Sequence, residues 1–170
     1  FTPSQRSAWE KLTEELEEVW TLDTVRAASG LPPSRARLHF IWGRGGSGKT
    51  YLDQALLDYA RTGGKEQHRP RVALALASSG IAALLLEGGR TVHSRLQIPI
   101  DLSDPCVCSN IKAQSDLAKL LREAVLILWD EATMLSVQVL RVVNALLKDV
   151  MGNDLPMGGK FVVLLSLIHI

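Results

Sequence analysis

One glycine-rich segment constrains the fold more than any other part of the chain. Residues 43–50 read Gly-Arg-Gly-Gly-Ser-Gly-Lys-Thr, between the short apolar run 38–42 and a stretch whose apolar residues recur at helical spacing up to residue 60. A buried strand that passes through a tight glycine turn directly into a helix is typical of a parallel α/β sheet. The pattern therefore predicts a strand–loop–helix unit at this point of the chain.

The same segment matches the complete phosphate-binding pattern G-x-x-x-x-G-K-[ST]. Its glycines let several backbone N–H groups converge on one phosphate, and the helix that follows directs its positive end at the same anion. A simple glycine-rich turn is the alternative, but the strand before it and the helix after it are what phosphate binding requires. We expect Mg²⁺-bound ATP to bind here, with Lys49 on the β- and γ-phosphates and Thr50 on the metal. The predicted nucleotide contacts are Gly43, Gly45, Gly46, Ser47, Gly48, Lys49 and Thr50.

A pair of carboxylates follows a second apolar run. Residues 124–129 are apolar and lead directly into Asp130 and Glu131. Charges are costly at the end of a buried strand unless they serve a purpose, and parallel strands end on the same edge of a sheet. We therefore expect Asp130 near Lys49 and Thr50 as a Mg²⁺ ligand, and Glu131 as the group that orients or deprotonates the attacking water. The alternative is a solvated turn that caps the next helix.

The rest of the chain reads as one α/β domain with a parallel sheet and helices on both faces. An amphipathic helix is predicted at the start, with Thr2 as its N-cap and Gln5 in the capping-box position. A loop or insertion is expected over 21–36, because Gly30, Pro32 and Pro33 fall there. Further strands are predicted at 71–77, 124–129 and 160–165, and further helices at 81–86, 115–123 and 136–150.

Composition limits the choice of partners. Hydrophobic residues make up 46% and charged residues 22%, which are globular values, and the net charge is +1. A nucleic-acid groove would have to be a local basic patch, so the overall charge neither favours nor excludes DNA.

Cys106 and Cys108 are too close in sequence for an unstrained disulfide, which predicts reduced, structural thiols in an intracellular protein. No apolar run reaches the roughly 18 residues of a membrane span, so no membrane association is expected.

Several stretches together resemble the Pif-one-type DNA helicases. These are residues 77–86 and 88–95 after the glycine-rich loop, Leu128-Trp129-Asp130-Glu131-Ala132, and Gly158-Gly159-Lys160. The amino-acid sequence of residues 109–112 and 114–118 is most similar to the branch carried by Helitron transposons. The resemblance covers 1–164, whereas residues 165–170 depart from the family pattern and are expected to be truncated or foreign.

The resemblance implies a first RecA-like motor domain of a 5′-to-3′ DNA helicase whose ATPase is stimulated by single-stranded DNA. It implies that Gln5 reads adenine, in addition to the capping role, and that Ser79, Gly80, Thr91 and His93 line the DNA track. A buried, hydrogen-bonded role for His93 is equally open, and Arg90 and Arg95 are either phosphate contacts or solvated. The implied partners are single-stranded DNA and a second motor domain of the same parent chain.

Two other interpretations stay open. One is a different P-loop NTPase, such as a nucleotide kinase or a clamp-loader-type ATPase, and the other is a non-catalytic nucleotide-binding relic. The family resemblance further implies an intracellular, nuclear location, with mitochondria as the alternative, and work in DNA repair, recombination and telomere maintenance. The sequence does not indicate an oligomeric state.

Overall fold

The computed structural model describes residues 1–28, 37–64, 71–104 and 106–167. Strands and helices alternate along most of the chain, and the predicted α/β class is confirmed. The strands are β1 (Arg37–Gly43), β2 (Val72–Ala77), β3 (Arg90–Thr91), β4 (Ala124–Asp130) and β5 (Phe161–Leu167). The helices are α1 (Pro3–Ala28), α2 (Lys49–Thr62), α3 (Gly80–Leu85), α4 (Val92–Arg95), α5 (Asp116–Glu123) and α6 (Val137–Met151), with short 3₁₀ turns at Ala132–Met134 and Pro156–Gly159.

The five strands form one parallel sheet in the order β1-β5-β4-β2-β3. The last strand of the chain is thus inserted between the strand that precedes the glycine-rich loop and the strand that ends at Asp130. Strand β3 was not predicted, because two residues carry no readable periodicity. All strands end on the same edge, as expected for consecutive crossovers of one hand.

Apolar side chains cover both faces of the sheet. Leu12, Leu16, Leu56 and Leu57 of α1 and α2 pack with Leu128 of β4 on one face. The other face carries residues of α5 and α6, among them Ala118, Leu121, Val143 and Leu147, packed against Trp129. Such two-sided burial explains why β2 and β4 read as continuous apolar runs rather than as alternating ones.

Helix α1 is longer than the sequence suggested. Thr2 and Gln5 form the predicted capping box, because the Gln5 backbone N–H donates to Thr2 Oγ1 at 3.3 Å and Thr2 N donates to Gln5 Oε1 at 2.7 Å. The prediction of a loop from residue 21 was wrong, since the helix continues to Ala28. The helix-breaking Gly30, Pro32 and Pro33 all come after that residue, and they lie outside the described residues.

Strand β5 runs past the predicted end of the domain. Ile41 of β1 pairs with Leu165, and Trp42 pairs with Ser166. The Thr133 and Ser166 hydroxyl groups are 2.7 Å apart, so this end of the strand also contacts the segment after β4. The expected change at residue 165 therefore falls inside a regular strand. Whether 165–170 are foreign to the gene stays a prediction, and 168–170 lie outside the described residues.

Edge strand β1 leaves one face uncovered among the described residues. Leu38, Phe40 and Trp42 are 48%, 52% and 63% exposed, and they alternate with the more buried His39 and Ile41. Alternation of this kind is typical of a strand that packs on one side only.

The two cysteines differ from the prediction in their exposure. Cys106 and Cys108 are free, but both are exposed, so the expected structural role is wrong.

Within the described part of the chain, no helix combines the length and the apolar character that crossing a bilayer requires.

Candidate functional site

The glycine-rich loop has the backbone conformation that its sequence predicts. Gly46 and Gly48 have φ angles of 71° and 78°, which side-chain-bearing residues rarely adopt. Gly48 is the residue before α2, and no side chain caps that end of the helix. A Cβ atom on Gly43 would lie 3.0 Å from Ser47 Oγ, so a larger residue would crowd the inside of the loop. The N–H groups at the start of a 14-residue helix are thus available to an anion.

Lys49 bends back over the loop. Its Nζ donates to Gly43 O and Arg44 O, both at 2.7 Å, and to Ser47 Oγ at 3.2 Å. The ammonium group therefore lies inside the curve of the loop, where a phosphate would lie, and backbone oxygens satisfy its hydrogen bonds. This arrangement fits a polyphosphate, since phosphate oxygens offer stronger, charged acceptors to the same ammonium group.

Gln5 links α1 to this loop. Its Nε2 donates to Ser47 O at 2.7 Å, and a Cβ atom on Gly48 would collide with the same amide group. Beside it lies a cavity of about 430 Å³, lined in part by Gln5, Phe40, Trp42 and Lys49. A volume of that order suits a small organic ligand. The adenine-reading role of Gln5 stays a prediction, whereas its capping role and its contact with the loop are both observed.

Asp130 lies at the carboxyl end of β4, on the same edge as Lys49. The Lys49 charge acts on the Asp130 carboxyl although β5 lies between β4 and β1, the strand that leads into the Lys49 loop, as the predicted proximity of the two groups requires. Burial raises the pKa of the Asp130 carboxyl, while a hydrogen bond from the Glu131 N–H to Asp130 Oδ1 at 2.8 Å opposes the rise. A nearby cation stabilises the ionised form of such a half-buried carboxyl and so offsets the effect of burial. Thr50 is exposed in the first turn of α2.

A second carboxyl, Asp53, was not predicted from the sequence. It is fully buried in α2, and neither of its side-chain oxygens has a hydrogen-bond partner within the described residues. Burial, followed by the neighbouring Asp130, raises its pKa to about 8, and Lys49 opposes the shift. The signal was present in the sequence, because Asp53 occupies a core-facing position one helical turn before Leu56 and Leu57.

Glu131 is held in an unusual conformation. Its φ and ψ angles are 54° and 35°, in the left-handed region that costs a non-glycine residue about 1–3 kcal/mol. Ser79 Oγ donates to Glu131 Oε2 at 2.9 Å, and Met134 N donates to Glu131 O at 2.9 Å. These contacts fix both the backbone and the side chain at the end of β4. Strain of this kind persists only where neighbouring groups enforce it, and it is common in active sites.

The loop between β2 and α3 is fastened to β4. Ser78 N donates to Asp130 O at 3.1 Å, and Trp129 Nε1 donates to Ser78 Oγ at 2.9 Å. Ser79 Oγ contacts Glu131 and also accepts from Ala82 N at 3.2 Å. The sequence predicted separate roles for Ser79 on the DNA track and Glu131 at the reacting water, but it gave no sign that the two side chains touch.

The other residues of the expected DNA track form a neighbouring loop. Thr91 caps α4 by accepting from Ser94 N at 3.2 Å. His93 is partly buried, and its Nδ1 lies 3.1 Å from Ile98 O, which agrees with the hydrogen-bonded alternative for this residue. Arg95 donates to Gly88 O at 3.3 Å, and burial, together with Arg90, lowers the pKa of its guanidinium. Gly80 is exposed, and a Cβ atom there would meet nothing within 4 Å.

Known proteins resemble this chain over most of its length. The sequence profile of the PIF1-like helicases matches residues 11–166. The chain is 36% identical over 122 residues to the ATP-dependent DNA helicase Pif1 of Psychrobacter, covering 71% of this chain and 17% of that protein. It is 30% identical over 149 residues to the Pif1 helicase of Bdellovibrio bacteriovorus, covering 86% of this chain and 30% of the relative.

Solved structures agree as well. The crystal structure of Pif1 helicase from Bacteroides, in complex with ADP-AlF3 and ssDNA, superposes with a TM-score of 0.64 at 26% identity. The superposition covers 92% of this chain and 32% of that protein. The chain thus spans about a third or less of the proteins that it matches here. Because the family profile covers nearly all of the chain, this protein belongs to the PIF1-like helicase family.

Proposed function

We propose that this chain is the nucleotide-binding motor domain of an ATP-dependent DNA helicase that moves 5′ to 3′ along single-stranded DNA. The observation that carries the proposal is the sheet topology, which puts Asp130 at the carboxyl end of β4 on the same edge as the loop that follows β1 and holds Lys49. It brings a phosphate-binding group and a metal-binding group to one place, although they are far apart in sequence. Family membership supports coupling of this site to DNA.

The side chains divide the work of ATP hydrolysis. Lys49 and the N–H groups at the start of α2 hold the phosphates, while Thr50 and Asp130 would hold Mg²⁺ through oxygen atoms. When bound there, Mg²⁺ would neutralise charge on the phosphate oxygens. Glu131, at the end of β4, orients the attacking water and accepts its proton. Gln5 lines the cavity next to the loop, and we expect it to read the adenine there.

Single-stranded DNA is the proposed second ligand and is expected to stimulate hydrolysis. Ser79, Gly80, Thr91 and His93 form the proposed track, with Arg90 close by to attract phosphates. Support comes from the Bacteroides Pif1 structure, which contains ssDNA and superposes on this chain. The observed contact of His93 with Ile98 makes it the weakest member of this set.

A second motor domain in the parent chain is the proposed protein partner. The matched relatives are several times longer than this chain, which supports a further domain that closes on the nucleotide. A nuclear or mitochondrial location, and work in DNA repair, recombination or telomere maintenance, remain part of the proposal through family membership alone.

Nucleotide and DNA binding by the purified 170-residue chain test the proposal together. We expect a fluorescent ATP analogue to bind in a Mg²⁺-dependent manner, and we expect a single-stranded oligonucleotide to bind in preference to a duplex of the same length. We also expect hydrolysis by a parent chain that includes the second motor domain to rise when the single strand is added. Binding of nucleotide with no response to DNA in affinity or turnover would favour a different P-loop NTPase, or a relic that no longer turns over.

A further inference from the structure

The Ser79 hydroxyl group can donate one hydrogen bond, and in this structure it donates that bond to Glu131. The Ser79 Oγ–Glu131 Oε2 distance is 2.9 Å, and Ser79 Oγ also accepts from Ala82 N at 3.2 Å. A serine hydroxyl donates only one hydrogen bond, although it accepts two. Ser79 therefore has no further hydrogen bond to donate, and any other acceptor has to compete with Glu131 for the one from its hydroxyl group.

A DNA phosphate is such an acceptor, because its ionised oxygens accept hydrogen bonds and donate none. Ser79 is one of the residues in the proposed DNA track, so it has two anionic partners that exclude each other. When it donates to a phosphate, Glu131 loses the hydrogen bond that fixes its carboxylate. When it donates to Glu131, the DNA loses a contact.

The structure around Ser79 makes the position of the Glu131 side chain depend on this hydrogen bond. Glu131 has a left-handed backbone with φ of 54°, which needs outside support to persist. Ser78, the preceding residue in the chain, is bonded to the Asp130 backbone and to the Trp129 side chain, so the β2–α3 loop and the end of β4 form one connected unit. Loss of the Ser79 bond thus frees the Glu131 side chain while the rest of the unit stays in place.

We propose that Ser79 is a positioning residue that couples DNA binding to ATP hydrolysis by donating its one hydrogen bond either to Glu131 or to a DNA phosphate. The inference rests on the proposed function, because it assumes that single-stranded DNA reaches Ser79. With DNA absent, Glu131 is tied to Ser79. With DNA bound, Glu131 is released to act on water at the nucleotide site. Coupling is reciprocal, so changes at Glu131 alter DNA affinity.

A double-mutant cycle on DNA affinity tests this without relying on turnover. Binding of a fluorescent oligo-dT to the 170-residue chain is measured by anisotropy for the unchanged protein, Glu131→Ala, Ser79→Ala and the double variant. Glu131→Ala should tighten binding by about fivefold or more, since Ser79 is then free to donate to DNA. In the Ser79→Ala background, the same change should have no effect.

Two controls separate the coupling from simpler effects. Loss of a negative charge alone would tighten binding equally in both backgrounds, and Glu123→Ala, an exposed carboxylate on α5, measures such a general charge effect. Ser115→Ala removes an equivalent serine N-cap from α5 and measures the cost of losing a cap. Ser79→Thr keeps the hydroxyl group and should restore the coupling.

The outcomes are distinct. Equal tightening by Glu131→Ala with and without Ser79 overturns the inference and leaves the proposed function intact, as does no tightening at all. Absence of oligo-dT binding by the unchanged protein overturns the DNA part of the proposed function, and this inference with it.

Discussion

The side-chain amide of Gln5 donates a 2.7 Å hydrogen bond to the backbone carbonyl of Ser47, which ties the first turn of α1 to the phosphate-binding loop. The same side chain accepts from Thr2 N at 2.7 Å, so one residue caps the helix and braces the loop. The start of α1 is therefore part of the nucleotide site rather than a separate appendage.

Gln5→Ala should weaken both the fold and the site. The variant loses two hydrogen bonds, and we expect the free energy of unfolding to fall by about 1 kcal/mol. Urea denaturation checks the stability, and titration with a fluorescent nucleotide checks the affinity, which should also fall. Gln54→Ala is the matched control, because Gln54 bonds to Asp58 and Glu87 on the exposed α2–α3 surface. If both variants behave alike, the contact with Ser47 has no special role.

Lys49→Ala should weaken nucleotide binding by roughly 10²-fold, because a hydrogen bond to a charged group contributes about 1.5–3 kcal/mol and Lys49 provides more than one. Stability should change little, since its present partners are backbone oxygens of a largely exposed loop. Fluorescent ATP titration and thermal unfolding measure the two effects. Lys119→Ala, which removes an exposed lysine from α5, provides the comparison. Unchanged nucleotide affinity in Lys49→Ala would rule out the phosphate-binding role.

Glu131→Gln should leave Mg·ATP binding intact and slow hydrolysis by about 10²-fold or more, the usual effect of losing a general base. Asp130→Asn should instead reduce the dependence of nucleotide binding on Mg²⁺, because it removes a charged ligand of the metal. Single-turnover hydrolysis and nucleotide titrations over a range of Mg²⁺ concentrations separate the two variants. Hydrolysis at the normal rate in Glu131→Gln would assign the water to another group.

Asp53 should make the stability of the protein fall as the pH rises. Its pKa is about 8 in the folded chain, whereas the ordinary value for an aspartate that is free in water is 3.8, so between these values the folded state keeps a proton that the unfolded state has lost. Below pH 3.8 both states are protonated and the pKa difference has no effect on stability. As the pH rises from there towards 8, this proton difference lowers the free energy of unfolding, by about 4 kcal/mol at pH 7.

The variant Asp53→Asn should therefore flatten the fall in stability between about pH 5 and pH 8, since an amide does not ionise. Urea denaturation at several pH values gives the slope. Asp58→Asn removes an exposed carboxylate from the same helix and should leave the slope unchanged. Parallel pH profiles for the unchanged protein and Asp53→Asn would show that Asp53 ionises normally.

The sequence predicts the site better than it predicts how the parts of the site are connected. The glycine-rich loop and the pair Asp130 and Glu131 are local patterns whose chemistry depends on residue type and spacing, and their proximity follows from the rule that parallel strands end on one edge. The link between Ser79 and Glu131 joins residues 52 positions apart, and no local pattern reports it. Asp53 was missed for a different reason, because its apolar neighbours dominate the helical pattern.

Strand order was also beyond the sequence. Periodicity identifies an apolar strand near Phe161, but nothing local indicates that it inserts between β1 and β4. The insertion depends on the combined packing of α6 and the rest of the sheet, which only the three-dimensional arrangement reveals. The length of α1 was underestimated because the loop expected around Gly30, Pro32 and Pro33 was extended back to residue 21, whereas the residues up to Ala28 are helical.

The position of β5 sets the width of the gap in which the phosphates and the metal are proposed to lie. Neighbouring strands are about 4.8 Å apart, so β1 and β4 are held roughly 10 Å from each other by the strand between them. Direct pairing of the two strands would halve that distance and bring Asp130 closer to the loop. Strand β5 carries none of the proposed reactive groups, yet it acts as the spacer that fixes the reach from the loop to Asp130.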